Sequence, residues 1–233
     1  MIPAIIHQTS KTTHIPQKWA LLQRKVKKNY PEWKYRFWTD EDNLRLVQKS
    51  FSDWEGVYLS LPKPIMRVDM IRYMYMYEFG GLYLDLDYEI LRPFDFQKYA
   101  LVLPGENRSE QSVSLGNSIF ASVPRHAFWE KVLNDLKDDP PRVVKDEQDV
   151  IGLTGPGFLT KIYLKYFKDD PSIHVPERQL FNPDIPRTRA EQKVLENDGT
   201  TIGIHHCTGS WRDSVVLHKR ILNKIKKTLG RIR

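Results

Sequence analysis

Cysteine is almost missing from this chain: Cys207 is alone among 233 residues. One thiol excludes an intramolecular disulfide framework and any multi-cysteine metal centre, so nothing asks for an oxidising compartment. No run approaches the roughly 20 apolar residues that span a bilayer. Ile5-Ile6-His7-Gln8 follows Met1 too closely, and is too polar, to serve as a signal-peptide core. The expected location is therefore cytoplasmic. Repeats and low-complexity linkers are absent too, which leaves one folded domain of ordinary size.

A charge excess is also missing from most of the chain. The formal net charge is +7, from 36 Lys+Arg against 29 Asp+Glu. Residues 212–233 account for all of it: Arg212, Lys219, Arg220, Lys224, Lys226, Lys227, Arg231 and Arg233 face only Asp213. A phosphate-tracking surface would need its cations on the folded body, so no nucleic-acid partner is expected. In the same tail Val216, Ile221, Leu222, Ile225, Leu229 and Ile232 recur at mostly helical spacing. The division is thus residues 1–211 as the domain and 212–233 as a basic amphipathic helix. Such a helix suits an anionic membrane surface, at about 1 kcal/mol per well-placed cation; docking on the domain by its apolar stripe is the alternative.

What is present alternates between strand and helix. Ala4–Gln8 and Tyr35–Thr39 read as strands, Gln17–Lys28 as a helix opened by Pro16, and Asn43–Lys49 as a helix capped by Thr39. Ile65–Phe79 is helical in period and ends at Gly80-Gly81, after which Leu82–Tyr88 reads as a strand. Leu101–Leu103, Ser118–Ala121 and Thr201–His206 are further strand candidates, with His126–Leu136 and Leu159–Tyr166 helical. The pattern predicts an α/β fold with helices on both faces of the sheet and ligands beyond the carboxyl ends of strands.

Asp85-Leu86-Asp87 is the sharpest chemical feature. On a strand its carboxylates would share one face, roughly 7 Å apart at Cα, near enough to hold one cation. Taken alone, Asp-x-Asp occurs in many surface turns. Asp69 and Arg72, at i,i+3 on the preceding helix, read by themselves as an ordinary surface ion pair.

Together these residues carry more. Asp69-Met70-Ile71-Arg72-Tyr73 followed by Gly80-Gly81-Leu82-Tyr83-Leu84-Asp85-Leu86-Asp87 resembles the signature of the DXD-containing sugar-transferase family 32. That family includes yeast initiating mannosyltransferases and bacterial capsule or lipopolysaccharide transferases, with clostridial glucosylating toxins as distant kin. Ile2–Gln8, Leu153-Thr154-Gly155-Pro156-Gly157 and His205-His206-Cys207-Thr208-Gly209-Ser210-Trp211 extend the resemblance over nearly the whole chain.

The resemblance implies a GT-A-like, Rossmann-type sheet binding a nucleotide-sugar and Mn²⁺ or Mg²⁺. It implies Asp85 and Asp87 as the catalytic metal carboxylates, with a C-terminal histidine completing the shell. His205 and His206 are the candidates, and on a strand only one of them can face the ion; the family pattern favours His205. It implies donor contacts from Gln8, Asp69, Arg72, Tyr83, Asn117, Ser210 and Trp211. Many relatives carry Trp where this chain has Ser10, so Trp38 or Tyr35 would have to supply a platform for the base.

The function so implied is hexose transfer from a UDP- or GDP-sugar to a glycan or lipid-linked hydroxyl, with retention, in cell-surface polysaccharide synthesis. Two alternatives use parts of the same sequence. A haloacid-dehalogenase-type phosphatase also places Asp-x-Asp at a strand end, but expects Thr or Val at the position of Glu89. A non-catalytic membrane- or nucleic-acid-binding module would work through the basic tail.

Overall fold

A computed structural model describes residues 1–106 and 113–209; the predicted tail helix, Ser210 and Trp211 lie outside them. The chain opens with β1 (Ile5–Thr9), α1 (Gln17–Asn29), β2 (Lys34–Trp38), α2 (Asp40–Ser50), α3 (Ser52–Ser60) and α4 (Pro64–Phe79). It continues through β3 (Gly81–Leu84), β4 (Tyr88–Ile90), β5 (Leu101–Val102), β6 (Ile119–Ser122) and α5 (Ala127–Asp138). The last part holds α6 (Glu147–Leu153), α7 (Pro156–Ile162), β7 (Ile173–His174), α8 (Arg178–Phe181), α9 (Arg189–Asn197) and β8 (Gly203–His205). Local chemistry explains several ends. Thr39 and Asp42 form a reciprocal capping box at the start of α2, and Pro64 occupies the first turn of α4, where no amide donor is needed.

Six strands form the main sheet in the order β2-β1-β3-β6-β5-β7. β1 lies parallel to both β2 and β3, β6 runs antiparallel to β3 and β5, and β5 and β7 are again parallel. Side chains alternate between two cores as the period of a strand demands. Tyr83, Phe120, Leu101 and Leu103 join the core beneath α2 to α7, while Leu82, Leu84, Ile119, Ala121 and Val102 join the one beneath α1 and α8. Helices thus cover both faces.

α4 is the most buried helix, with Met66, Met70, Ile71, Tyr73, Met74, Tyr75 and Met76 all shielded from solvent. Its polar residues Asp69 and Arg72 are therefore interior groups rather than a surface pair. The helix stops at two glycines with φ +63° and +93°; a Cβ on Gly81 would stand 2.4 Å from the Ile5 carbonyl oxygen. That contact lets β3 leave the helix and enter the sheet beside β1 with no intervening loop.

The predicted strand Leu82–Tyr88 is corrected: β3 ends at Leu84, and Asp85, Leu86 and Asp87 form a turn closed by the Tyr88 N–H on the Asp85 carbonyl at 3.0 Å. The Asp85 N–H still donates to Ser118 O at 2.8 Å. The chain then changes sheets, and β4 pairs antiparallel with β8 in a separate two-stranded ribbon. The two aspartates consequently meet through a turn and not through the pleat of a strand. The predicted helix Leu159–Tyr166 begins earlier, at Pro156, and widens into a π turn over Tyr163–Phe167.

Candidate active site

The turn after β3 and the end of β8 converge because Tyr88 is registered opposite His205. The His206 N–H then donates to the Asp87 carbonyl at 3.0 Å, extending the ribbon by one rung. This brings His205 Nε2 to 3.3 Å from Asp87 Oδ1 and 3.9 Å from Asp85 Oδ2. Ligand atoms of Asp85, Asp87 and His205 all lie within 4.8 Å of one another, each side chain partly accessible. The two histidines separate as adjacent strand residues must. His206 Nε2 is turned to Glu89 Oε2 at 2.8 Å, and a contact from Lys25 holds the same carboxylate. His205 is the histidine at the aspartate pair; His206, the other candidate ligand, pairs with Glu89 of β4, and Lys25 ties that carboxylate to α1.

Each carboxylate is positioned by its own partners. Asp87 Oδ2 accepts from the Thr208 backbone N–H at 2.8 Å and from its hydroxyl at 2.7 Å, leaving Oδ1 directed at His205. Asp85 Oδ1 accepts from the Tyr83 hydroxyl at 2.5 Å and faces Arg72 Nη1 at 3.2 Å. Burial alone would raise the Asp87 carboxyl, but the His205 and Thr208 hydrogen bonds hold it well below the usual carboxylate range. Burial would likewise lower the His205 imidazole, yet the bond to Asp87, with Cys207 and the charge of Asp85 behind it, raises it to about 10. The pair of carboxylates thus demands a positive partner.

Below Asp85 lies a buried network. Arg72 donates through Nη1 to the Asn117 carbonyl at 2.7 Å and through Nε to Val68 O at 3.2 Å, with its plane over the Tyr83 ring. Asp69 accepts from Asn117 Nδ2 at 3.0 Å and from the Thr154 hydroxyl at 2.8 Å, while Arg72 Nη2 stands 3.6 Å away. Burial pushes the Asp69 carboxyl up to about 6 against the opposing pull of Arg72 and Thr154. Arg72 is held charged, because Asp85, Tyr83 and Asp69 outweigh its burial. A buried ion pair is tolerated when its remaining donors and acceptors are satisfied, as here.

Five of the expected donor-contact residues are therefore grouped beneath Asp85, three of them, Tyr83, Gln8 and Arg72, in direct contact with it. Tyr83 and Gln8 are 1% and 0% exposed, and both reach the site through Asp85, Gln8 by donating to its carbonyl at 3.2 Å. Asp69 and Arg72, each 3% exposed, form the floor, and Asn117 joins them from the segment just before β6. Of the two aromatic candidates for a base platform, Tyr35 donates to Gln8 Oε1 at 2.6 Å. Trp38 is stacked among His7, Tyr75 and Phe79, its indole N–H on His7 Nδ1. Thr208 was not singled out from the sequence, whereas Thr154 stands in the Thr154-Gly155-Pro156-Gly157 loop that the resemblance places on the sugar and acceptor side; they donate to Asp87 and Asp69 respectively. Both stand inside motif segments, yet only the fold shows which carboxylate each one meets.

The donor set suits a divalent cation. Two carboxylates and one imidazole are ligands of the kind such an ion takes.

Residues 16–109 match the family described as the glycosyltransferase sugar-binding region containing the DXD motif. The chain is 34% identical over 166 residues to the mannosyl phosphorylinositol ceramide synthase SUR1 of Saccharomyces cerevisiae, covering 71% of this chain and 43% of that protein. It is 29% identical over 216 residues to inositol phosphoceramide mannosyltransferase 1 of Schizosaccharomyces pombe, covering 90% and 62%. It thus spans roughly half of the length of the curated relatives it matches. The solved PaToxG glycosyltransferase superposes with TM-score 0.56 at 18% identity over 72% of this chain and 70% of that one, a likeness of fold.

Proposed function

We propose, from the premise that residues 16–109 belong to the sugar-binding region of the DXD-motif glycosyltransferases, that this chain transfers a hexose from a nucleotide-diphosphate donor to a hydroxyl of a lipid-linked or glycan acceptor. The observation that carries the reading is the Asp85–Asp87–His205 cluster at the end of β3, where an α/β sheet presents its ligands. The names of the relatives make mannose the first sugar to test. They also put an inositol-phosphate sphingolipid ahead of a cell-surface polysaccharide as acceptor class.

Asp85, Asp87 and His205 would hold the Mn²⁺ or Mg²⁺ ion. When bound, such an ion neutralises charge developing on the departing nucleoside diphosphate. The chain's own residues supply the positioning. Thr208 fixes Asp87, while Tyr83, Arg72 and Gln8 fix Asp85 through its carboxylate and carbonyl. The phosphatase alternative needs Asp85 free as a nucleophile, whereas its Oδ1 holds both the Tyr83 hydroxyl and Arg72. Retention of configuration is the stereochemistry we assign, read out by the anomer of the first product.

The test is a hydrolysis and binding panel of UDP- and GDP-sugars with and without Mn²⁺, repeated on Asp87→Ala. A metal-dependent response to one donor that disappears in the variant supports the reading. A response that survives the substitution refutes the metal site, and no response to any donor refutes the activity.

Among the described residues no helix is long and apolar enough to cross a membrane. We assign work at the cytoplasmic face of an anionic membrane through residues 212–233, on their charge alone. Truncation after Asp213 is expected to abolish binding to phosphatidylserine vesicles while donor hydrolysis persists; unchanged vesicle binding would remove the tail from the account.

A further inference from the structure

The folded body is neutral in sum but not from place to place. Residues 1–31 hold Lys11, Lys18, Arg24, Lys25, Lys27 and Lys28, and the first carboxylate side chain is Glu32. Five of these six cations stand on α1, all of them exposed, and that helix has no acidic residue. Lys25 is tied to the buried Glu89 of β4. Lys27 lies over the Tyr35 ring at 4.1 Å and Lys18 over the Trp19 ring at 5.6 Å. Among the described residues, Lys18, Arg24, Lys27 and Lys28 form no ion pair, so the fold leaves their charge unneutralised.

This arrangement costs the helix stability. Lys27 and Lys28 in the last turn suit the helix dipole, but Lys18 stands in the first turn, where an anion is favoured. Arg24 and Lys28 are four residues apart and Lys25 and Lys28 three, so like charges meet along the helix. Val26 marks the packed side, fully buried in the core it shares with Tyr30. On the opposite side the 3.6-residue period aligns Gln17, Leu21, Arg24 and Lys28. Leu21 is 50% exposed within that line, an apolar group among cations whose own methylene stems are apolar.

The same face has a fixed relation to the candidate active site. α1 packs on β4, Lys25 reaches Glu89 of that strand, and β4 is registered with β8, which ends at His205. Residues 212–233, the other cation-rich stretch, follow shortly after that ribbon in the chain. An extended anionic surface can use both. Four of the five α1 cations are lysines, point charges without the planar fork suited to reading individual phosphates. Leu21 has no part to play on a phosphodiester backbone but suits the headgroup boundary of a bilayer. One weak membrane signal gives only marginal, reversible binding, whereas two linked signals give stable attachment.

We propose that the outer face of α1, Leu21 with Arg24 and Lys28 and flanked by Lys18 and Lys27, is a membrane-docking surface of the folded body. It engages anionic lipid headgroups as the second of two contacts and so sets the orientation of the Asp85–Asp87–His205 cluster relative to the bilayer. The proposal rests on the membrane assignment made above for residues 212–233, adds to it a surface on the domain itself, and needs nothing from the transferase reading.

The test is co-sedimentation of the full chain with phosphatidylserine-containing vesicles and with vesicles of phosphatidylcholine alone. Arg24→Gln combined with Lys28→Gln should weaken binding to the anionic vesicles about tenfold or more while soluble-donor hydrolysis is unchanged. Leu21→Gln should weaken it about threefold or more. Lys49→Gln combined with Lys161→Gln removes the same charge from α2 and α7, on the other face of the sheet, and should stay within twofold of wild type. No preference of the wild type for anionic vesicles, an α1 pair within twofold of wild type, or equal losses in the α1 and control pairs overturns the docking face. Poly(U) RNA binding that falls in the α1 pair while vesicle binding holds also overturns it, in favour of a nucleic acid. Truncation after Asp213 separates the two contacts. Vesicle binding lost on truncation but intact in the α1 pair leaves the tail alone and refutes the proposal; binding lost in the α1 pair but intact on truncation supports the α1 face and removes the tail.

Discussion

His205 Nε2 stands 3.3 Å from Asp87 Oδ1 because Tyr88, the residue after Asp87, is paired with His205 across the β4–β8 ribbon. The register of one short ribbon therefore sets the spacing of the whole cluster. Thr208 donates twice to Asp87, through N–H and hydroxyl.

Thr208→Val keeps the backbone donor and removes the hydroxyl. Removing such a partner of a metal ligand typically costs 10–100-fold in affinity. The expected result is Mn²⁺ affinity weakened by at least tenfold with Tm changed little, measured by Mn²⁺ titration followed by electron paramagnetic resonance. Equal affinity in the variant would separate Thr208 from the metal.

Asp69 is a buried carboxyl whose folded value is raised from 3.8 to about 6. The folded state therefore holds the proton more tightly, and this contribution to stability is present at low pH and lost as pH rises through about 6. The difference amounts to roughly 3 kcal/mol. Asp69→Asn should flatten that part of the curve between pH 4 and 6.5, as read by urea unfolding, while lowering donor affinity. A site residue kept ionised at neutral pH against its own burial is a stability sacrifice of the kind binding sites make.

His7 shows the opposite sign. Its Nε2 lies 3.0 Å from the Gly80 carbonyl, its Nδ1 accepts from Trp38, and burial lowers it from 6.5 to about 3. The neutral ring is favoured in the fold, so its contribution is complete above pH 6.5 and is lost as pH falls toward 3. Acid unfolding should therefore begin below pH 6.5, with about 5 kcal/mol at stake. In His7→Gln the slope between pH 6.5 and 4 should shrink, although the variant is less stable overall.

Gly81 has φ +93° and meets the Ile5 carbonyl where a Cβ would sit. Gly81→Ala is expected to destabilise the protein by more than about 3 kcal/mol, through both strain and the collision. Gly152, where a Cβ would meet nothing within 4 Å, provides the control: Gly152→Ala should leave chemical unfolding within about 1 kcal/mol of wild type.

Much of the strand and helix order was legible because it is written in short-range chemistry. Thr39 with Asp42 marks a capped helix, Pro64 and Gly80-Gly81 bracket α4, and the alternation in Tyr35–Trp38 marks a strand. Asp69, Arg72, Asp85 and Asp87 could be picked out through motif spacing within one stretch of chain. The same local reading mistook the end of β3. Leu82 to Tyr88 alternates well enough to pass as one strand, and only the switch of Tyr88 into a second sheet reveals the turn.

What the sequence alone determined is the identity of the carboxylates and the alternating pattern that builds a sheet covered on both faces. The tertiary structure decided which histidine joins the carboxylates, since the β4–β8 register sends His205 to Asp87 and His206 to Glu89. It also decided that Asp69 and Arg72 are interior groups, because α4 is covered on all sides, a property that no i,i+3 spacing can express. Charge types and local periods belong to neighbouring residues, whereas burial and pairing between distant strands belong to the packed whole.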